Sequence, residues 1–284
     1  MSSLGPRSVE RPADAGYTNV GCLDSDDQPR LDAGGALQPA NADWVIDWWI
    51  GADDRWYLPS REVSIRQRRL GAGPVIETAV RIPSGDALHR AFGISTGEGE
   101  FTVIEIENDS PVPVALALAI RPFNLAGVSS GATIRLDDTR ILVDGAPAVL
   151  LPKKPNEFQA STDDLAATVT AGRVLDGSPV ASGPGANAVA LYPLTHKTTL
   201  RIVVPGLAAR GSVGAQAPHL PESGAVARGW DAVLGAGGRV QLPDPGLGAQ
   251  ADAARARLLG GTAALAERVA DLEPGAADTS TPSR

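Results

Sequence analysis

From Trp44 to Val204 the chain alternates apolar and polar positions in short runs broken by turn residues. In Val75–Ile82 (VIETAVRI), Ile76, Thr78, Val80 and Ile82 fall on one face and Glu77 and Arg81 on the other. A period of two is the mark of a half-buried strand. Pro83-Ser84-Gly85-Asp86 is a hairpin turn, and Ala87–Ile94 returns. Phe101–Asn108 alternates again, Asn108-Asp109-Ser110-Pro111 turns, and Val112–Arg121 is expected to pair back on it. Thr133–Leu136 and Arg140–Val143 form a hairpin, and Asp144-Gly145 turns into Ala148–Leu151. Phe158–Ser161, Ala166–Thr170, Ala188–Tyr192 and Thr198–Val204 read as further strands. Connections this short predict antiparallel pairing. About a dozen strands suit a mainly β fold, a large two-sheet antiparallel sandwich burying apolar faces between its sheets.

The ends differ from the middle. Residues 1–40 are rich in Gly, Pro and Asp and read as an N-terminal arm, with one short strand at Tyr17–Val20. The sandwich is expected over 41–243, with a helix at Gly224–Leu234 and a short strand at Arg239–Leu242. Asp244-Pro245 then forms an N-cap with proline in the first helical position. Leu247, Ala251, Ala254, Leu258, Thr262, Leu265 and Val269 follow at spacings of four and three, one apolar stripe on a C-terminal linker helix over 244–273. Gly260-Gly261 interrupts that helix at a cost of about 1 kcal/mol per Gly relative to Ala. The tail, 274–284, reads as disordered. Such a stripe must be covered by the sandwich, by a second chain or by another domain.

Aromatic residues concentrate in one stretch. Asp43–Gln67 holds four of the five tryptophans. Trp44–Ile50 reads as a strand, Gly51-Ala52-Asp53-Asp54 as a turn, and Val63 and Ile65 as the apolar positions of another strand. Trp48 and Trp49 are neighbours, so they point to opposite faces: one into the core, the other toward a partner surface, a ligand or water. Trp49 and Trp56 beside Asp53, Asp54 and Arg55 are candidates for stacking on, and hydrogen bonding to, a sugar. The plainer alternative makes the tryptophans packing and the acids a solvated turn.

Charge and motifs narrow the chemistry. The 284 residues carry a net charge of -8, which argues against nucleic acid or an anionic membrane as partner. No apolar run approaches the ~18 residues a membrane span needs. Cys22 is the single cysteine, and the N-terminus lacks an apolar signal core, so the cytoplasm is the expected compartment. His89, His196 and His219 lack metal-ligand spacing, and no nucleotide-binding or nucleophile-elbow motif occurs, so neither a metal nor a cofactor is expected. A glycosidase needs two carboxyl groups about 5–10 Å apart across a sugar. Adjacent acids in a turn, Asp53/Asp54 or Asp163/Asp164, deliver that poorly, and no complete catalytic set is visible. Arg66, Arg68 and Arg69 are expected on an exposed or salt-bridged edge.

Three stretches carry a resemblance by their order: DWWIGADDRWYLPSREVSIRQ (Asp47–Gln67), PVIETAVRIPSGDALHRAFG (Pro74–Gly93) and VIEIENDSPVPVALALAIRP (Val103–Pro122). Together they resemble the N-terminal super-β-sandwich, of galactose-mutarotase-like form, of bacterial six-hairpin glycosidases, the glucoamylase-like and glycogen-debranching-like enzymes. Trp230–Leu259 resembles the linker helix that leads from that sandwich into an (α/α)6 toroid. The resemblance covers roughly residues 40–260. In that family the catalytic carboxylates lie mainly in the toroid, so none is carried over here. The resemblance implies a non-catalytic scaffold, with carbohydrate and an (α/α)6 domain as partners, inactive alone. A free-standing carbohydrate-binding or protein-interaction module is the second reading.

Overall fold

The fold is described from a computed structural model, over residues 16–25, 27–128, 131–173, 175–210, 219–236 and 245–259. In chain order the strands begin with β1 (Thr18–Asn19), β2 (Arg30–Leu31), β3 (Leu37–Gln38), β4 (Val45–Gly51), β5 (Trp56–Tyr57) and β6 (Arg66–Arg69). Then come β7 (Ile76–Ile82), β8 (Gly85–Thr96), β9 (Gly99–Asn108), β10 (Val114–Arg121), β11 (Gly131–Asp137), β12 (Arg140–Val143), β13 (Ala146–Leu150) and β14 (Glu157–Ser161). Helix α1 (Leu165–Thr170) precedes β15 (Val180–Pro184), β16 (Asn187–Leu194) and β17 (Thr199–Pro205), and α2 (Ser223–Ala236) and α3 (Pro245–Leu259) follow.

The strands form two antiparallel sheets. The first runs β1-β2-β3-β4-β10-β16-β14, with β5 added on β4. The second runs β15-β11-β12-β13-β17-β9-β8-β7-β6. Their inner faces enclose one apolar core in which Ile46, Trp48, Ile50, Leu116, Leu118 and Ile120 meet Val80, Ile104, Ile106 and Ile202. The two-sheet antiparallel sandwich expected from the alternation is what forms. The turns behave as their residues dictate: Ser84, at φ +68, closes the β7–β8 hairpin, and Asp144 and Gly145, at φ +51 and +81, close β12–β13.

Several local expectations are corrected. Val112–Arg121 does not pair back on β9; β10 crosses to the first sheet, between β4 and β16. Asn108 makes the crossing: its amide donates to Val112 O (2.8 Å) and Leu194 O (3.1 Å), and its side-chain oxygen accepts from Ser110 N (2.9 Å). Both faces of β10 are covered, so its unbroken apolar run holds no record of which strand it joins. Val63 and Ser64 form a turn, not a strand; Val63 is fully exposed, and pairing begins only at Arg66. Ala166–Thr170 is helical because Asp164 caps it, accepting from Ala166 N (3.0 Å) and Ala167 N (3.4 Å). Part of the segment read as an arm, from Thr18 to Gln38, supplies β1, β2 and β3. The helix expected at Gly224–Leu234 is α2, and of the C-terminal helix expected over 244–273 the described residues show α3, Pro245–Leu259. Arg239–Leu242, the Gly260-Gly261 break and the tail lie outside the described residues.

Each sheet's outer face is covered in part. On the second sheet, Trp230 and Leu234 of α2 pack on Phe92, Phe101, Val103 and Val203. Arg255 of α3 donates to Leu234 O (2.9 Å), and Leu259 O accepts from Asp24 N (2.8 Å), which returns α3 to the N-terminal segment. Beside the helices the same face carries Arg68, Glu77, Arg90, Glu105 and Arg201 in one cross-strand row of alternating sign. Glu77 bridges Arg68 (2.7 Å) and Arg90 (2.8 Å). Arg66 and Arg68 of edge strand β6 are thus exposed and salt-bridged, as expected, while Arg69 is half-buried and donates to Gly73 O (3.4 Å). On the first sheet, Leu165, Ala166 and Val169 of α1 cover Trp49, Ala117, Ala119 and Val189.

Candidate saccharide-contact site

The turn between β4 and β5 is closed by Ala52 N donating to Arg55 O (3.0 Å). β5 places Trp56 opposite Gly51 and Tyr57 opposite Ile50. Trp56 therefore points outward and Tyr57 toward the core. Gly51 is needed here because the Trp56 indole lies across it: a Cβ on residue 51 would stand 2.9 Å from that ring. Trp56 stays half-buried, and Asp53, Asp54 and Arg55 are exposed at the tip.

Three side chains brace this tip. Tyr57 Oη donates to Asp54 Oδ2 at 2.7 Å. That bond holds the Asp54 carboxyl below the usual carboxylate range. Arg55 donates both terminal nitrogens to Glu62, at 2.6 and 2.9 Å, and its guanidinium sits 3.8 Å from the Tyr57 ring centroid. Tyr57 and Glu62 escaped the sequence reading. The Tyr57 role was readable from its place three residues after Asp54; the Glu62 pairing depends on the 3-10 turn at Pro59–Arg61.

Asp53, Asp54 and Trp56 thus follow one another around one turn, the two carboxylates exposed and the indole half-buried over Gly51. Such a group can accept hydrogen bonds from sugar hydroxyls and stack on a ring face. An Asp54 kept ionised by Tyr57 is an acceptor and not a general acid.

Trp49 is placed differently. It faces outward on the same side as Trp56 yet is fully buried under α1, so it offers no face to a ligand in this arrangement. Its indole N–H has no hydrogen-bond partner. The Arg121 guanidinium lies 5.6 Å from the Trp49 ring and 4.9 Å from the Phe123 ring, and contacts Asp47 at 3.4 Å. Trp48 points into the core, donates to Gly34 O (3.0 Å) and stacks on His89.

The remaining reactive groups are structural. His89 is enclosed, and burial pushes its imidazole down to about 3, so it is neutral at ordinary pH. His196 Nδ1 lies 2.9 Å from Ser110 O. Burial, with Glu100 and Asp27 nearby, pushes the Cys22 thiol up to about 12, which keeps it unreactive. Among the described residues no group of three or more His, Cys, Asp or Glu could hold a metal ion, and no helix is long and apolar enough to cross a membrane.

No family model and no curated protein matches this chain. Among solved structures, it is similar to a bacterial glucoamylase crystallised in complex with acarbose, with a TM-score of 0.52 and 9% sequence identity. The match covers 74% of this chain and 35% of the glucoamylase chain, so the chain spans about a third of that enzyme's length. At this identity the likeness is one of fold: the two-sheet sandwich is shared with part of a glucoamylase.

Proposed function

We propose that the chain is a non-catalytic β-sandwich domain of a glycoside-hydrolase-like protein. It serves as scaffold for an (α/α)6 domain and contacts sugar through Asp53, Asp54 and Trp56. The observation that carries this reading is the β4–β5 tip, where a half-buried indole stands beside two exposed carboxylates. Two things support the setting: the fold shared with about a third of a glucoamylase chain, and the sequence resemblance to the sandwich of six-hairpin glycosidases. The scaffold role fits the position of α2 and α3, which pack on the outer face of the second sheet.

A glycan array probed with the purified chain tests the sugar contact. The reading expects retention on α-linked gluco-oligosaccharides, lost in Trp56→Ala and weakened in Asp53→Ala. Absence of binding to every glycan contradicts it. Coding DNA beside this chain tests the scaffold role: a helical-hairpin domain encoded next to it supports the reading, and an unrelated gene counts against it.

A further inference from the structure

We propose that α1 is a strap laid over a second saccharide platform, Trp49, and that binding a linear gluco-oligosaccharide displaces it. The inference rests on the sugar-contact reading and extends it from the exposed tip onto the sheet.

On β4 the residues Asp47, Trp49 and Gly51 share the outer face. Trp56 lies across Gly51 and packs against the cluster that contains Trp49. The two indoles therefore belong to one continuous surface. Asp53 and Asp54 are exposed at the tip, and beyond Trp49 the buried Asp47 carboxylate pairs with the half-buried Arg121. An oligosaccharide asks for this order of features, aromatic platforms in a line with hydrogen-bonding groups at the flanks.

What interrupts the surface is α1, a helix of six residues held down by Leu165, Ala166 and Val169. Its closure is imperfect in one respect. The Trp49 indole N–H is buried with no acceptor, whereas the inner-face Trp48 donates to Gly34 O. A buried donor left unused is a penalty borne by the closed arrangement. A sugar hydroxyl reaching Trp49 would accept that hydrogen and relieve it. The strap is short, six residues, with its first turn capped by Asp164 and its entry tied by Asn187 Nδ2 donating to Asp163 O (2.8 Å).

The test uses the full chain and maltoheptaose. Hydrogen exchange is followed at the amides of residues 165–171 with and without the sugar, and affinity is measured by tryptophan fluorescence for the native chain and for Asp164→Ala. Removing the cap populates the open arrangement, so the variant should bind maltoheptaose about fivefold more tightly. In the native chain, exchange at 165–171 should speed up on binding. Bound sugar with unchanged or slowed exchange there overturns the strap, as does an Asp164→Ala affinity equal to or weaker than native; the contact at Trp56 then stands alone. If neither protein binds maltoheptaose, the strap and the sugar-contact reading both fail.

Discussion

The Trp230 indole occupies the place a side chain at residue 73 would take: a Cβ on Gly73 would stand 2.2 Å from Trp230 Cγ. Asp231 secures the same contact by accepting from Ala72 N at 2.8 Å. The loop Gly71-Ala72-Gly73 is therefore the seat of α2. Gly73→Ala must push Trp230 off its packing against Phe92 and Val103. The expected loss is about 1–3 kcal/mol, typical of an overpacked contact. Chemical denaturation measures it, and hydrogen exchange should show α2 loosened ahead of the sheets. A Gly73→Ala protein as stable as native would mean that α2 is not seated there.

Asn108 joins the two sheets at the point where the chain changes between them. Its amide bonds to Val112 O and Leu194 O, and its oxygen receives Ser110 N, with the side chain wholly buried. Asn108→Ala strands these groups, each at about 1–3 kcal/mol when buried and unsatisfied. We expect a loss of about 3 kcal/mol with no change in sugar binding. Thermal unfolding of the variant, set beside its glycan affinity, checks both halves of that statement.

Acid should destabilise the fold through two groups in two windows. Burial pushes the Glu77 carboxyl up, but hydrogen bonds from Arg90 and Arg68 outweigh it and leave its pKa below the usual range. A depressed carboxylate lends stability above its unfolded pKa of about 4.3, lost as pH falls through the folded value. His89 is held neutral by burial, its pKa lowered to about 3. The unfolded chain takes up a proton on this imidazole below about pH 6.5 and the fold does not, so stability also falls as pH drops from there toward 3. Denaturation midpoints measured from pH 7 to 3 should therefore decline from about pH 6.5 and steepen below about 4.3. His89→Gln should flatten the upper part of the decline and Glu77→Gln the lower. A native curve level down to pH 4.5 contradicts the His89 assignment.

Sequence and structure agree where one face of an element is wet. Val80 and Ile82 against Arg81 fixed the inward face of β7, and Asp144-Gly145 fixed a hairpin, because period and turn chemistry are local. The pattern was silent where both faces are covered. The β10 run Val114–Arg121 is buried on each side, so nothing in it distinguishes β9 from β4 and β16 as partner. Short apolar runs also leave period undecided. Leu165, Ala166 and Val169 stand at i, i+1 and i+4, one face of a helix, and the Asp164 cap starts it, whereas the run Thr168-Val169-Thr170 on its own reads as β. Of the candidate site, the turn itself was legible: Asp53 and Asp54 lie in the connection from β4 to Trp56, closed by Ala52 N donating to Arg55 O. That Trp49 is roofed over depends on α1, more than a hundred residues further along the chain, and no local pattern carries such a contact.

This sandwich is expected to contact sugar without cleaving it. Proton NMR of maltoheptaose mixed with the purified chain tests both parts in one tube. Saturation transferred from the protein reports contact, and the anomeric signals report any new reducing ends. We predict transfer to the sugar protons from the native chain, none from Trp56→Ala, and no new reducing ends over a day. Absence of transfer from the native chain, or reducing ends that accumulate with it and not with Asp54→Asn, would contradict the account.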